Sequence, residues 1–148
     1  MDCVDCHNRP SHQLAVTAER AVNVAMARAD IPASLPFVHR ETVKVLKASY
    51  PTEDAATEAI ATGLRDFYRN SYQAIYMTRR QDVEQAVTGA QQVYRRNVFP
   101  EMNVQFGTYP SNVGHIDVPG CFRCHDDNHT ATGGMKISQD CETCHKIE

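Results

Sequence analysis

Tryptophan is missing from this sequence, and neither sign of charge is in excess: 15 Lys and Arg stand against 18 Asp and Glu, a formal net charge of −3. Such a near-balance supplies no positive field along which a phosphate backbone could be held, so nucleic acid is excluded as a partner. Long apolar runs are also missing. None approaches the ~18 residues that cross a bilayer, so no membrane span is expected in this chain, and no secretory signal precedes Cys3. No segment shows the alternation of a half-buried strand, and no internal repeat recurs apart from one five-residue motif. With 148 residues the chain is long enough for one domain with a core.

Cysteine is present and tightly organised. All six cysteines fall in three copies of Cys-x-x-Cys-His: Cys3, Cys6 and His7; Cys121, Cys124 and His125; Cys141, Cys144 and His145. This is the spacing of a covalent haem attachment site, where two thiols add to the two vinyl groups and the adjacent histidine binds the iron from one side. The spacing has a physical basis. Residues three apart on one turn place both sulfurs along one edge of a macrocycle, and the same turn brings the next side chain under its centre.

Two other readings compete for these cysteines. Cys121, Cys124, Cys141 and Cys144 fit the spacing of a structural zinc site, Cys-x2-Cys-x16-Cys-x2-Cys. That reading leaves Cys3 and Cys6 without a partner pair and does not explain the three histidines. With His at about 1 residue in 20, three such coincidences have a chance of roughly 1 in 10,000. A disulfide framework leaves the histidines equally unexplained, and the short loops that it would close stabilise little. Three haem c groups are therefore expected, and their propionates make the protein more acidic still. Covalent haem attachment takes place outside the cytoplasm, so the expected location is periplasmic or extracellular, with a leader or membrane anchor once ahead of this stretch.

The fold class expected is mainly α, one domain over 1–148. It comprises haem site 1 at 1–12, a helical region at 13–98, and a loop-rich region at 99–148 with sites 2 and 3, the core being largely built around the haems. Pro10 ends any helix through Cys3 to His7, and Ser11 can cap the next. Apolar residues at Leu14, Ala18, Ala21, Val22, Ala25 and Met26 predict an amphipathic helix from Leu14 to about Asp30. A second runs from about Leu35 to Ser49 with a stripe of His39, Val43, Leu46 and Tyr50. Thr52, with Glu53 and Asp54 behind it, opens a third that buries Ala56, Ile60, Leu64 and Phe67 and ends near Tyr72. After a short link, Thr78 to Gln81 matches a capping box that opens a fourth, with Val83, Val87, Ala90, Val93 and Tyr94 inward, ending before Pro100. From there Pro100, Gly107, Pro110, Gly114, Pro119 and Gly120 allow only short elements. Gly133-Gly134 marks an exposed turn, and Ser138 or Asp140 can cap the turn that carries Cys141.

Ligation of the sixth iron position decides between electron relay and catalysis. Three proximal histidines, His7, His125 and His145, leave His12, His39, His115 and His129. His12 and His129 lie five and four residues beyond His7 and His125, too near to curl round their own haem, so each reaches more naturally to another. His115, six residues before Cys121, can be presented by a turn. His12, His115 and His129 are thus the expected distal ligands, with His39 and Met102 in reserve; each also has the ordinary reading of a surface or packed side chain. More histidines than irons favours closed, low-spin, mostly bis-histidine haems, which pass electrons and do not bind substrate.

Four stretches carry a resemblance to a known family: Cys3 to His12, Phe99 to Val104, Gly107 to His115, and Pro119 to His129. They resemble the multihaem segments of NapC/NirT-like quinol-oxidising cytochromes of bacterial inner membranes. The resemblance implies a periplasmic trihaem segment relaying electrons from a quinol-oxidising membrane partner to other cytochromes. The chain departs from complete members by its lack of a transmembrane anchor and of further haem sites. The leading expectation is an electron carrier and not an enzyme, its partners being other redox proteins, with self-association through stacked haems consistent with it. The alternative is a small multihaem reductase with one open iron acting on a small nitrogen or oxygen compound, with Arg9, Tyr109 or His39 handling protons or anions. A haem-based sensor would need an output domain that this sequence does not contain.

Overall fold

In the computed structural model, residues 14–108, 119–130 and 133–143 are described. The chain divides into two compact units, Leu14–Tyr109 and the remainder, Met1–Gln13 with Pro110–Glu148. The protein is mainly helical. Among the described residues there are five α-helices and no strand: α1 Ala18–Ala27, α2 Val38–Leu46, α3 Glu53–Ser71, α4 Gln73–Thr78 and α5 Arg80–Asn97. None is long and apolar enough to cross a membrane.

The first unit closes around side chains of its own. α1 starts where Thr17 accepts the amide of Arg20 at 3.2 Å, four residues later than the periodicity suggests. The amide of Ala15 is diverted to the side chain of Asn97, at 2.6 Å, and residues 14–17 are not helical. α1 ends in a Schellman motif in which the N–H of Asp30 bonds to the carbonyl of Ala25 and that of Ala29 to Met26. Ala29 takes the left-handed position, φ 60°, which glycine usually fills. The helix buries Ala18, Ala21, Val22 and Ala25, as expected.

α2 is shorter than the expected Leu35–Ser49. Phe37 occupies its N-cap with φ 57° and offers no side-chain cap, so Leu35 is buried from a turn before the helix. The buried stripe is Val38, Glu41, Thr42 and Leu46. It is rotated by one residue from the expected one, leaving His39 and Val43 half-buried on its flank. The buried carboxylate of Glu41 accepts from Arg40 Nε at 2.7 Å, and that guanidinium lies 4.5 Å from the Phe37 ring centre.

Thr52 caps α3 by accepting the amide of Ala55 at 3.2 Å. Its core residues are Ala56, Ile60, Ala61, Leu64 and Tyr68; the fully buried ring is Tyr68, whose hydroxyl donates to the Pro36 carbonyl at 3.0 Å, while Phe67 is half-buried. The expected link after Tyr72 is itself the short helix α4. Consequently Thr78 ends a helix where a capping box would have it begin one: its hydroxyl donates to the Ala74 carbonyl at 2.8 Å, and α5 starts from Arg79 without a side-chain cap.

α5 buries every residue expected of it, Val83, Val87, Ala90, Val93 and Tyr94, and adds Ala86, Gly89 and Asn97. It packs most extensively on α3. Arg65 and Glu84 join the two helices by a two-pronged ion pair at 2.6 and 2.9 Å, and Gln91 donates to the Thr57 carbonyl at 2.9 Å. Gly89 is needed for close approach, because a Cβ there would lie 2.6 Å from the carbonyl oxygen of Asp30. Beyond α5, Phe99 and Val104 exchange backbone bonds of 2.8 and 3.1 Å around one 3₁₀ turn, Pro100–Met102, and Gly107 brings the backbone against the Val16 carbonyl with φ 79°.

In the second unit the described residues form short turns joined by a hairpin. Cys121 lies in a 3₁₀ turn, Gly120–Arg123, and Cys141 in another, Cys141–Thr143. Thr130 and Lys136 pair antiparallel between them, and the exposed Gly133 and Gly134 turn the chain with φ 95° and 80°.

Candidate haem attachment site

The motif at Cys121, Cys124 and His125 is described in full. Pro119 starts the turn by accepting the amide of Phe122 at 2.8 Å, and the carbonyl of Cys121 then accepts the amides of both Cys124, at 3.2 Å, and His125, at 3.0 Å. One carbonyl thus winds Cys121, Cys124 and His125 into a single turn, the compact geometry that two thioethers and an iron ligand require. Burial, and next the charge of Asp126, push the Cys124 thiol above its ordinary pKa.

The histidine of this motif is oriented by a distant part of the chain. His125 Nδ1 lies 2.7 Å from the Ser138 carbonyl oxygen. A carbonyl only accepts, so Nδ1 carries the proton and the lone pair lies on Nε2. Metal-binding histidines are commonly held in this way, one ring nitrogen donating to a backbone carbonyl and the other turned to the metal.

The returning arm of the hairpin brings Ser138 to this position. The amide of Asp127 donates to the Ile137 carbonyl at 3.1 Å, that of Ile137 to the His129 carbonyl at 2.8 Å, and the Asp127 carboxylate accepts the amide of Gln139 at 3.2 Å. Asp127 itself has φ 60°, a conformation that Asp tolerates better than most residues. Two residues on, the carboxylate of Asp140 accepts the amide of Glu142 at 3.0 Å and so caps the turn bearing Cys141.

His129 is placed on the same hairpin. Its Nδ1 lies 2.8 Å from Asp126 Oδ1, which also accepts the amides of Asn128 and His129, each at 3.0 Å. These donors, the His129 ring first, hold the Asp126 carboxyl far below the usual carboxylate range. An ionised carboxylate only accepts, so Nδ1 of His129 is the donor, and in the neutral ring the lone pair lies on Nε2.

Cys3, Cys6, His7, His12, His115, Cys144 and His145 lie outside the described residues. His39 and Met102 are both half-buried in the helical unit, His39 on α2 and Met102 in the Pro100–Met102 turn. That unit also has an open cleft of about 710 Å³ lined by Glu19, Lys47, Tyr50, Tyr94 and Gln105 among others. No histidine, cysteine or methionine among the described residues lines it. Among the described residues no three His, Cys, Asp or Glu side chains gather to hold a metal ion. The supporting groups Asp126, Asp127 and Ser138 were not singled out by the motif. The Asp-x-Asn-His order from Asp126 is an Asx-turn pattern, and Gly133-Gly134 announces a returning arm, but which carbonyl the return delivers is not readable locally.

These features suit a haem donor set: two thiols on one turn and an adjacent imidazole with Nε2 as its ligating nitrogen. Across 147 residues, 99% of the chain, the sequence is 37% identical to the cytochrome c-type protein ImcH of Geobacter sulfurreducens. The chain is related to a c-type cytochrome. It spans 29% of the length of that relative. No family profile matches the chain, and no solved structure matches it.

Proposed function

We propose that this chain is an electron-transfer cytochrome segment carrying three covalently attached haems, at Cys3 to His7, Cys121 to His125 and Cys141 to His145. It relays electrons between a membrane or periplasmic donor and a periplasmic or extracellular acceptor, and its partners are other redox proteins. The observation that carries this reading is the His125 ring, fixed by the Ser138 carbonyl in the tautomer that an iron ligand needs, on the same turn as two thiols. Bound haem supplies one-electron chemistry, with a potential set by axial ligands, hydrogen bonding and burial.

The chain's own residues attach, orient and saturate. Cys121 and Cys124 provide the thiols, and His125 the proximal nitrogen. His12, His115 and His129 are the distal ligands, His39 and Met102 standing in reserve. Four histidines beyond the three proximal ones support closed coordination, and closed coordination favours relay over catalysis.

Intact mass and the pyridine haemochrome spectrum of the purified holoprotein test the haem count, and electron paramagnetic resonance with carbon monoxide exposure tests the coordination. Three haems, all low-spin and inert to carbon monoxide after reduction, are expected. A mass equal to the bare polypeptide would overturn the reading, and one high-spin haem that binds carbon monoxide would favour a reductase.

A further inference from the structure

Asp126 gives one oxygen to three donors: the amides of Asn128 and His129, each at 3.0 Å, and the ring nitrogen of His129 at 2.8 Å. The first two bonds form an Asx turn, which asparagine would make equally well. The third bond is different. It fixes the tautomer of an imidazole that stands 44% exposed, so the ring is not walled in by its own hairpin. Its acceptor is an anion, and a carboxylate behind an imidazole N–H makes the opposite nitrogen a stronger donor.

A contrast lies within the same hairpin. His125 is backed by the neutral carbonyl of Ser138, and His129 by the charge of Asp126. Two histidines four residues apart therefore have donor strengths raised to different degrees, one by a backbone carbonyl and the other by a side-chain carboxylate.

We infer that Asp126 is a positioning residue for His129: it holds the ring as an Nε2 ligand for the iron of a neighbouring haem and, by its charge, lowers the reduction potential of that haem. The inference rests on the reading of His129 as an iron ligand given above. A stronger, partly anionic imidazole stabilises ferric over ferrous iron, so removing the charge raises the potential.

The test uses the holoprotein and its Asp126→Asn, Asp126→Glu and His129→Ala variants, followed by redox titration of the visible spectrum and by electron paramagnetic resonance. Asp126→Asn keeps an oxygen that can accept all three bonds and loses only the charge. It is expected to keep every haem attached and low-spin and to raise one midpoint potential by a tenfold change in the oxidised-to-reduced ratio, about 59 mV for one electron. Asp126→Glu, with the charge restored, should bring that potential back toward the wild type, which a purely structural role would not require. His129→Ala should turn one haem high-spin and open it to carbon monoxide. The inference falls if His129→Ala leaves every haem low-spin, or if it opens one haem while Asp126→Asn moves no potential. The second result leaves the electron-transfer reading intact, whereas a wild-type protein without covalent haem removes both.

Discussion

His125 and Ser138 meet across the hairpin of the second unit, imidazole Nδ1 to carbonyl oxygen, at 2.7 Å. Ser138 lies three residues before Cys141, so the histidine of one attachment motif is braced by the chain that leads into the next. Hydrogen bonds between 127 and 139 tie the turn at 121–125 to the stretch that leads into Cys141.

Replacing Cys121 and Cys124 together by alanine is expected to reduce the haem content from three to two. The measurement is the ratio of haemochrome absorbance to protein, with intact mass. An unchanged ratio would show that these thiols are not attachment points.

Gly89→Ala and Gly63→Ala should differ in effect although both put a better helix former inside a helix. Alanine gains up to ~1 kcal/mol of propensity over glycine. At Gly89 the new methyl would sit 2.6 Å from the Asp30 carbonyl and 2.7 Å from Ile31, and that overpacking costs about 1–3 kcal/mol, so the variant is destabilised. At Gly63 its one close neighbour is a Val45 methyl at 2.9 Å, a side-chain atom that can shift, and the net effect is close to zero. Chemical denaturation followed by circular dichroism compares the two directly.

Tyr68 is fully buried, and its hydroxyl is pushed up to about 12, chiefly by burial and then by the charge of Glu41. A phenol whose pKa is raised by folding contributes stability that is whole below its unfolded value and is lost as pH rises through the folded one. The wild type should therefore lose stability between pH 10 and about 12, and Tyr68→Phe should lose less over that range. At neutral pH Tyr68→Phe strands the Pro36 carbonyl and costs about 0.5–1.5 kcal/mol.

Glu84 titrates below its ordinary value of 4.5 because Arg65 donates to it, so its contribution is whole above that pH and disappears as pH falls through the lower folded value. Both side chains are more than a third exposed, 38% and 37%, so solvent screening limits the pair to about 0.5 kcal/mol. Glu84→Gln should remove that share of the acid-induced loss, and added salt should shrink the difference between variant and wild type.

The parts of this protein that were legible in its sequence are those governed by contiguous chemistry or by a long, regular period. Cys121, Cys124 and His125 stand close enough in sequence for one turn to gather all three, and the stripes of α1 and α5 repeat often enough to fix their buried faces. Shorter or competing signals misled. In α2, buried Val38 and half-buried Val43 belong to two neighbouring registers, and nine residues do not separate registers that differ by one position. Thr78 satisfies a capping pattern and also the back-bonding of a helix end, and tertiary packing chose the second. The Ser138 carbonyl is a backbone atom, so no side-chain pattern encodes it.

The bond from Ala15 to Asn97, and the contact of Gly107 with Val16, join the two ends of the helical unit. Some ninety residues of polypeptide therefore make an excursion that returns to its own doorstep. Within that unit a long interval in sequence is thereby reduced to a bond of 2.6 Å, and the helical body is clasped shut by its own opening and closing segments.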